Sequence, residues 1–497
     1  MATITIPEAA RVAPSRQTSL WTRLAYGLGY GVIGVKDNGF SYFLLMFYSQ
    51  VIGLDARLVG LALTVALVVD AFVDPMVGYW SDNVRSRFGR RHPFMYAAAL
   101  PLAGLYFMLW NPPIGLSKTM LFAFLLGIAV SIRVFVSLYQ VPSNALAAEL
   151  TDDYDERSTL LSFRFFFTWA IGNAMSVLMF AGLFPFFVTA AIHNGQFNRE
   201  SYRVYGIIAS VMLFALAMTS ALGTHSRIPH LKPPPPKRDL TVGRIFREIF
   251  ETLSNRSFLA LFIASALGTI AAGVAAPLAF YWLTYFWHFT PRQSSLVLIG
   301  VFASAFIGSG IAPVVTRYLG KKRGAIIIGL IAFLGSPMPI FLRLTGILPD
   351  NGSPLIFWYV FFNNMFDVAL IITFQILSYS MIADLVEQAE IKTGRRSEGV
   401  FASATTFTEK IVNGAGLMIA GFLLTLAGVK TGADASHVAP AAVWRLGAYY
   451  VPTILTLWMT MVAVIGGYRI TRESHAANLR TLAGRREGMG PDGLPIE

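Results

Sequence analysis

Cysteine is absent from all 497 residues, which excludes disulfides, thiolate nucleophiles and thiolate metal sites. Charge is scarce too: Asp, Glu, Lys and Arg make up 13% of the chain, against roughly 25% in soluble domains. Of seven histidines, His225, His230, His288 and His437 lie near helix ends or in loops without zinc spacing. No Walker loop occurs, so nothing points to direct energisation by ATP. No nucleophile elbow or metal constellation supports an enzyme. The first twenty residues, MATITIPEAARVAPSRQTSL, lack the apolar core of a signal peptide and read as a short cytoplasmic tail. What remains is apolar: 55% of residues are hydrophobic, more than one soluble core can hide. The composition implies a bilayer as solvent.

A spanning helix needs about 20 mainly apolar residues. That window predicts twelve: 23–51, 58–82, 94–112, 118–148, 160–189, 203–223, 258–288, 294–316, 324–344, 354–386, 398–428 and 444–469. The break HSRIPHLKPPPPKRDLTVGRIFRE carries four consecutive prolines, which make a stiff linker and divide the helices six and six. The expected architecture is an all-α membrane protein of the major facilitator fold. It comprises a tail (1–22), a six-helix bundle (23–223), a Pro-rich linker (224–257), a second bundle (258–470) and a tail (471–497). The formal charge of +12 gathers in alternate loops, at Arg85, Arg87, Arg90 and Arg91, then Arg157, the linker, Lys321–Arg323, Lys392–Arg396 and the C-terminal tail. The positive-inside rule places these loops and both termini in the cytoplasm. Dispersed in this way, the cations report topology and not nucleic-acid binding. A faint repeat supports two halves: GSGIAPVVTRYLGKKRG (308–324) holds, between helices 8 and 9, the place of DPMVGYWSDNVRSRFGRR between helices 2 and 3.

Ionisable groups at bilayer depth cost roughly 3 kcal/mol each, and so mark cavities or partners. Asp70 and Asp74 are one turn apart on one helix face. Two such carboxylates need a proton, a Na⁺ or a Lys/Arg beside them; alternatively Asp74 pairs with an arginine of the following loop. Lys36 and Asp37, Arg133 and Gln140, Arg164, Asp367 with Asn363 and Asn364, and Glu409 with Lys410 add polar groups from both halves. Together they predict a central cavity; the alternative for each is a structural ion pair.

The stretch DAFVDPMVGYWSDNVRSRFGRRHP resembles the signature of the glycoside–pentoside–hexuronide:cation symporters, the major-facilitator branch that includes the melibiose permease. GVKDNGFSYFLLMFYSQVIGL, QVPSNALAAELTDDYDERSTLLSFR and MIADLVEQAEIKTGRRSEGVFASATTFTEKIVNGAG extend the resemblance along nearly the whole chain. It implies a cation site at Asp70 and Asp74, with Thr406 and Lys410 coupling cation to substrate. It also implies sugar contacts from Asp37 and Arg164, and a cytoplasmic gate that includes Asp384, Glu387 and Arg396. To the substrate set we add Lys36, Arg133, Gln140 and Asn144, and to the gate Arg85, Arg91 and Asp155.

Two departures stand out. Where the family has a sugar-binding aspartate and a stacking tryptophan on helix 4, this chain has Gln140 and Asn144. Arg133 has no counterpart there; a guanidinium suits a carboxylate, sulfate or phosphate, or it pairs with Asp37 or another buried acid. The expected function is therefore alternating-access symport of a sugar, glycoside or uronide with Na⁺, Li⁺ or H⁺. The alternative is transport of a lysolipid or another anionic or zwitterionic amphiphile. No cofactor is expected and no metal beyond a Na⁺ at Asp70/Asp74. A monomer working in the inner membrane among lipids is the expected state.

Overall fold

The computed structural model describes residues 18–151, 154–190, 192–230, 256–393, 398–430, 432 and 438–468. Among them the regular structure is helical: α1 (Leu20–Leu28), α2 (Gly31–Asn38), α3 (Leu44–Met46), α4 (Ala56–Asn83), α5 (His92–Trp110), α6 (Lys118–Leu150), α7 (Tyr154–Val177), α8 (Phe184–Phe186), α9 (Arg199–His225), α10 (Arg256–Tyr281), α11 (Pro291–Leu319), α12 (Lys321–Gly335), α13 (Met338–Leu344), α14 (Pro354–Thr393), α15 (Glu398–Ala427) and α16 (Pro440–Ile465). Eleven helices among the described residues are long and apolar enough to cross a bilayer. The first expected span, 23–51, is instead assembled from α1, α2, α3 and two π-helical segments, Gly39–Phe43 and Phe47–Val51. The expected span 324–344 is likewise two helices, because Ser336 and Pro337 interrupt it.

Sequence signals set the helix ends. Ser117 caps α6 by accepting from Met120 N–H at 3.3 Å, and Thr290 with Gln293 forms a capping box in front of Pro291 on α11. The loop between α4 and α5 and the link between α11 and α12 turn on Gly89 and Gly320, with φ of +72° and +73°, a region glycine enters without a Cβ penalty. Both glycines precede the basic clusters that the repeat in sequence aligned.

Helices α1 to α9 pack chiefly among themselves, through α5 on α9, α4 on α6 and α2 on α7; α10 to α16 do so through α11 on α14, α10 on α15 and α12 on α14. The two sets meet most extensively where α4 lies on α15. At the end remote from the Arg85–Arg91 loop the meeting is hydrogen-bonded. Gly432 N–H donates to Ser49 O at 2.9 Å. Thr64 Oγ1 donates to Gly414 O at 2.6 Å and Thr284 Oγ1 to Gln196 Oε1 at 2.8 Å. Aromatic rings fill the space behind, with Phe43 tilted against Phe280 at 4.7 Å between centroids. The π segments Phe47–Val51 and Trp282–Phe286 lie in this seal; such turns widen a helix locally and recur at functional sites.

Close approach here depends on small residues. A Cβ on Gly421 would lie 2.5 Å from Ala56 O, so any side chain forces backbone apart. Gly421→Val is expected to open the seal. Because the chain has no native cysteine, spin labels on Arg57→Cys and Lys430→Cys, both exposed at that end, would report a longer distance in the variant than in its parent. An unchanged distance would show that the seal absorbs the side chain.

Candidate functional site

A cavity of about 830 Å³ lies between the two sets of helices, within the range of small-molecule sites. Its lining runs from Tyr42 and Trp287, near the seal, to Leu261 and Ile382, toward the Arg85–Arg91 end. Lys36, Asp37, Asp70, Arg133, Gln140 and Lys410 all line it, so most of the polar residues singled out in the sequence converge.

Asp70, 3% exposed, is the centre. Its Oδ1 accepts from Ser137 Oγ at 2.8 Å. Its Oδ2 lies 2.8 Å from Lys410 Nζ and 3.5 Å from Arg133 Nη1. The same Lys410 ammonium reaches Asp74 Oδ2 at 2.5 Å. Lys410 therefore sits between the two carboxylates, brought there from α15 by the α4–α15 contact. Lys36 pairs with its neighbour Asp37, the lysine side chain 4% and the aspartate 52% exposed, and adds a further positive charge acting on Asp70. Three cations thus face three carboxylates, which is what low-dielectric burial demands.

The geometry resolves two alternatives. The partner of Asp74 is Lys410 and not an arginine of the following loop. The partner of Arg133 is a buried acid, Asp70 rather than Asp37, and its guanidinium also lies 5.0 Å from the Phe40 ring centroid.

Asn144 and Arg164 lie elsewhere. Asn144 Oδ1 accepts from the Tyr30 hydroxyl at 2.5 Å, and the Arg164 guanidinium stands 4.5 Å from the Tyr30 ring centroid. Neither lines the cavity. Helix rise accounts for this: Asn144 is four residues beyond Gln140, about 6 Å farther along α6.

At the basic end, Arg91 is 5% exposed and bound within its own half. Its Nε donates to Glu149 Oε1 at 2.8 Å, its Nη1 to Ser81 Oγ at 2.8 Å, and its Nη2 pairs with Asp82. Arg90 Nη2 reaches the same Glu149 oxygen at 2.8 Å. Glu149, which the sequence reading did not select, is thus the anchor of the loop; its place in ALAAEL at the end of α6 was the available signal. Arg85 is exposed. The side chains of Asp155, Asp384, Glu387, Arg396 and Thr406 lie outside the described residues. Nearby, Glu156 accepts from Thr151 Oγ1 at 2.5 Å and Arg23 Nη2 at 3.1 Å. Burial alone would raise its carboxyl, but the bonds from Thr151, Thr18 and Arg23 hold it down at about 2.

A further lining residue was not selected from sequence either. Trp169 on α7 is 56% exposed and lines the cavity, as do Trp282, Trp287 and Trp458. They supply aromatic surface that position 144 does not.

Comparison with known proteins agrees with this architecture. A symporter of Synechocystis sp. is 23% identical, over 94% of this chain and 97% of its own. A putative glycoside/cation symporter of Escherichia coli is 24% identical, over 95% and 97%. A D-xylose-proton symporter of known structure superposes with a TM-score of 0.58 at 15% identity, covering 88% of this chain and 97% of that one, which bears on fold alone. The sequence profile of one family, described as MFS/sugar transport protein, matches residues 25–472. With that match over most of the chain, and eleven helices among the described residues long and apolar enough to cross a bilayer, the chain belongs to the MFS/sugar transport protein family and is a multi-pass membrane protein.

Proposed function

We propose that the protein is a secondary active transporter that carries a sugar or glycoside together with a monovalent cation by alternating access. The observation that carries this reading is the position of Lys410. An ammonium from the second half occupies the gap between Asp70 and Asp74 of the first, the place a coupling ion would take. A Na⁺, Li⁺ or H⁺ that neutralises these carboxylates competes with Lys410 and frees it. One ionic event then breaks a bridge between the two halves, which is the differential interaction that coupling requires.

On this reading the present state is sealed on the outside and faces the cytoplasm, with the Arg85–Arg91 loop and both termini inside. The membrane is the inner membrane, the residues 23–223 and 258–470 are the two moving bundles, and a monomer suffices. Lys36–Asp37 and Gln140 offer donors and acceptors for sugar hydroxyls beside the aromatic surface of Trp169. Arg133 lies 3.5 Å from Asp70, which supports a role within the protein over recognition of an anionic cargo. The relative in Escherichia coli is described as a putative glycoside/cation symporter, in keeping with this substrate class.

A thermal-shift screen of the purified protein against glycosides, pentosides and uronides, with and without Na⁺ and at two pH values, tests the reading. A ligand that binds the native state raises the melting temperature, and coupling makes the shift larger when sugar and ion are both present. Additive shifts for every sugar would contradict it. Once a sugar is found, Trp169→Ala is expected to raise its KM about tenfold, equivalent to roughly 1.4 kcal/mol, with little change in maximal rate.

A further inference from the structure

Asp367 lies in the middle of α14, in the second half, and differs from every acid of the Asp70 cluster. It is 8% exposed, and its Oδ1 has no hydrogen-bond partner among the described residues. The Ser336 hydroxyl of the facing turn acts on its carboxyl without a hydrogen bond to Oδ1. No ion pair to it occurs among the described residues.

The surroundings explain why. Helix α12 presents no charged side chain between Arg323 and its end at Gly335, and α11 none between Arg292 and Arg317. Helix α10 carries none between Arg256 and Tyr281. Arg343 of α13 is bound to Asp350 at 3.1 Å and to the carbonyls of Leu348 and Pro349. From α16 the near group is the Tyr450 phenol, while Arg445 donates to Ala427 O at 3.0 Å. Across the cavity stand Glu409, and Lys410, Arg133 and Lys36, which are paired with Asp74, Asp70 and Asp37 respectively.

A second observation points to the same place. The helix that faces Asp367 is broken there: α12 stops at Gly335 and α13 begins at Met338. A Cβ added to Gly335 would stand 4.0 Å from Asp367 Oδ1. Asn363 Nδ2 donates to Gly335 O, 3.4 Å away, on the same broken turn. Interrupted helices at mid-membrane line binding sites in transporters, and Asp367 with Asn363 and Ser336 lines the cavity here.

We propose that Asp367 is a proton-binding site of the second half, its carboxyl neutral in this cavity-facing state. An ionised carboxylate without a counter-charge at this depth is expensive, and such a group takes up a proton instead. The proton comes from cavity water and returns to it when water or a cation reaches the broken turn; no other bond changes. This gives the carrier a protonation step separate from Asp70/Asp74, one that holds even if Na⁺ is the ion that displaces Lys410.

Infrared spectroscopy of the protein in lipid, without sugar, tests it. At pH 7, where a solvated aspartate is ionised, wild type is expected to show a protonated-carboxyl C=O band that shifts in D₂O. Asp367→Asn should lose that band, Asp367→Glu should keep it at a displaced frequency, and Asp70→Asn and Glu409→Gln should retain it. A wild-type spectrum without the band, or a band unchanged in Asp367→Asn, would overturn the proposal while leaving the symport reading intact.

Discussion

Lys410→Met is expected to destabilise the purified protein by about 3 kcal/mol, the scale for removing one partner from a buried ion pair. The loss has a specific cause. Without the ammonium, Asp70 retains Arg133 at 3.5 Å, while Asp74 loses the cation that stood 2.5 Å from it. Two carboxylates one turn apart then repel. The variant should therefore respond to what it lacks: Na⁺ in place of choline at equal ionic strength, or lower pH, should recover much of the stability. Wild type should respond less, because Lys410 already fills the gap. Melting curves in the two salts and at two pH values measure this, and the salt or the pH that rescues identifies the coupling ion. Equal responses from wild type and variant would mean that ion and lysine do not share a place.

Arg133→Gln is expected to cost a similar amount, about 3 kcal/mol, whether or not any ligand is present. The informative measurement is a double-mutant cycle with Asp70→Asn. If the guanidinium serves Asp70, the two changes are strongly non-additive, with a coupling energy on the order of 2 kcal/mol. If Arg133 instead serves a substrate anion, the changes add in the apo protein. The 3.5 Å separation and the Ser137 bond to the other Asp70 oxygen predict the first outcome.

The fold was legible because hydropathy and membrane thickness leave few choices: a run of about 20 apolar residues becomes a spanning helix. The predicted 58–82 and 118–148 correspond to Ala56–Asn83 and Lys118–Leu150. The breaks were not legible by that criterion. A hydropathy window averages over Gly29–Tyr30 and over Ser336–Pro337, where the chain departs from continuous α-helix, although Gly-Ser-Pro at 335–337 was a visible punctuation. The missed break carried the environment of Asp367.

For the site, composition found the charged residues and periodicity grouped Asp70 with Asp74. Which cation meets which acid depends on helix rotation and on contacts distant in sequence, such as α4 on α15. One sequence without covariation contains no signal for that. Depth along a helix is not legible in one sequence for the same reason. Asn144 shares a face with Gln140, but lies one turn nearer the basic end, beside Tyr30 and Arg164.

Proteoliposomes with an imposed Na⁺ or H⁺ gradient test the central claim most directly, using radiolabelled forms of the sugars that the thermal-shift screen identifies. Wild type is predicted to accumulate such a sugar above its external concentration only while the ion gradient lasts. Asp70→Asn with Asp74→Asn should abolish accumulation while leaving downhill sugar flux measurable. Accumulation by the double variant at the wild-type level would contradict the assignment of these two carboxylates as the seat of coupling.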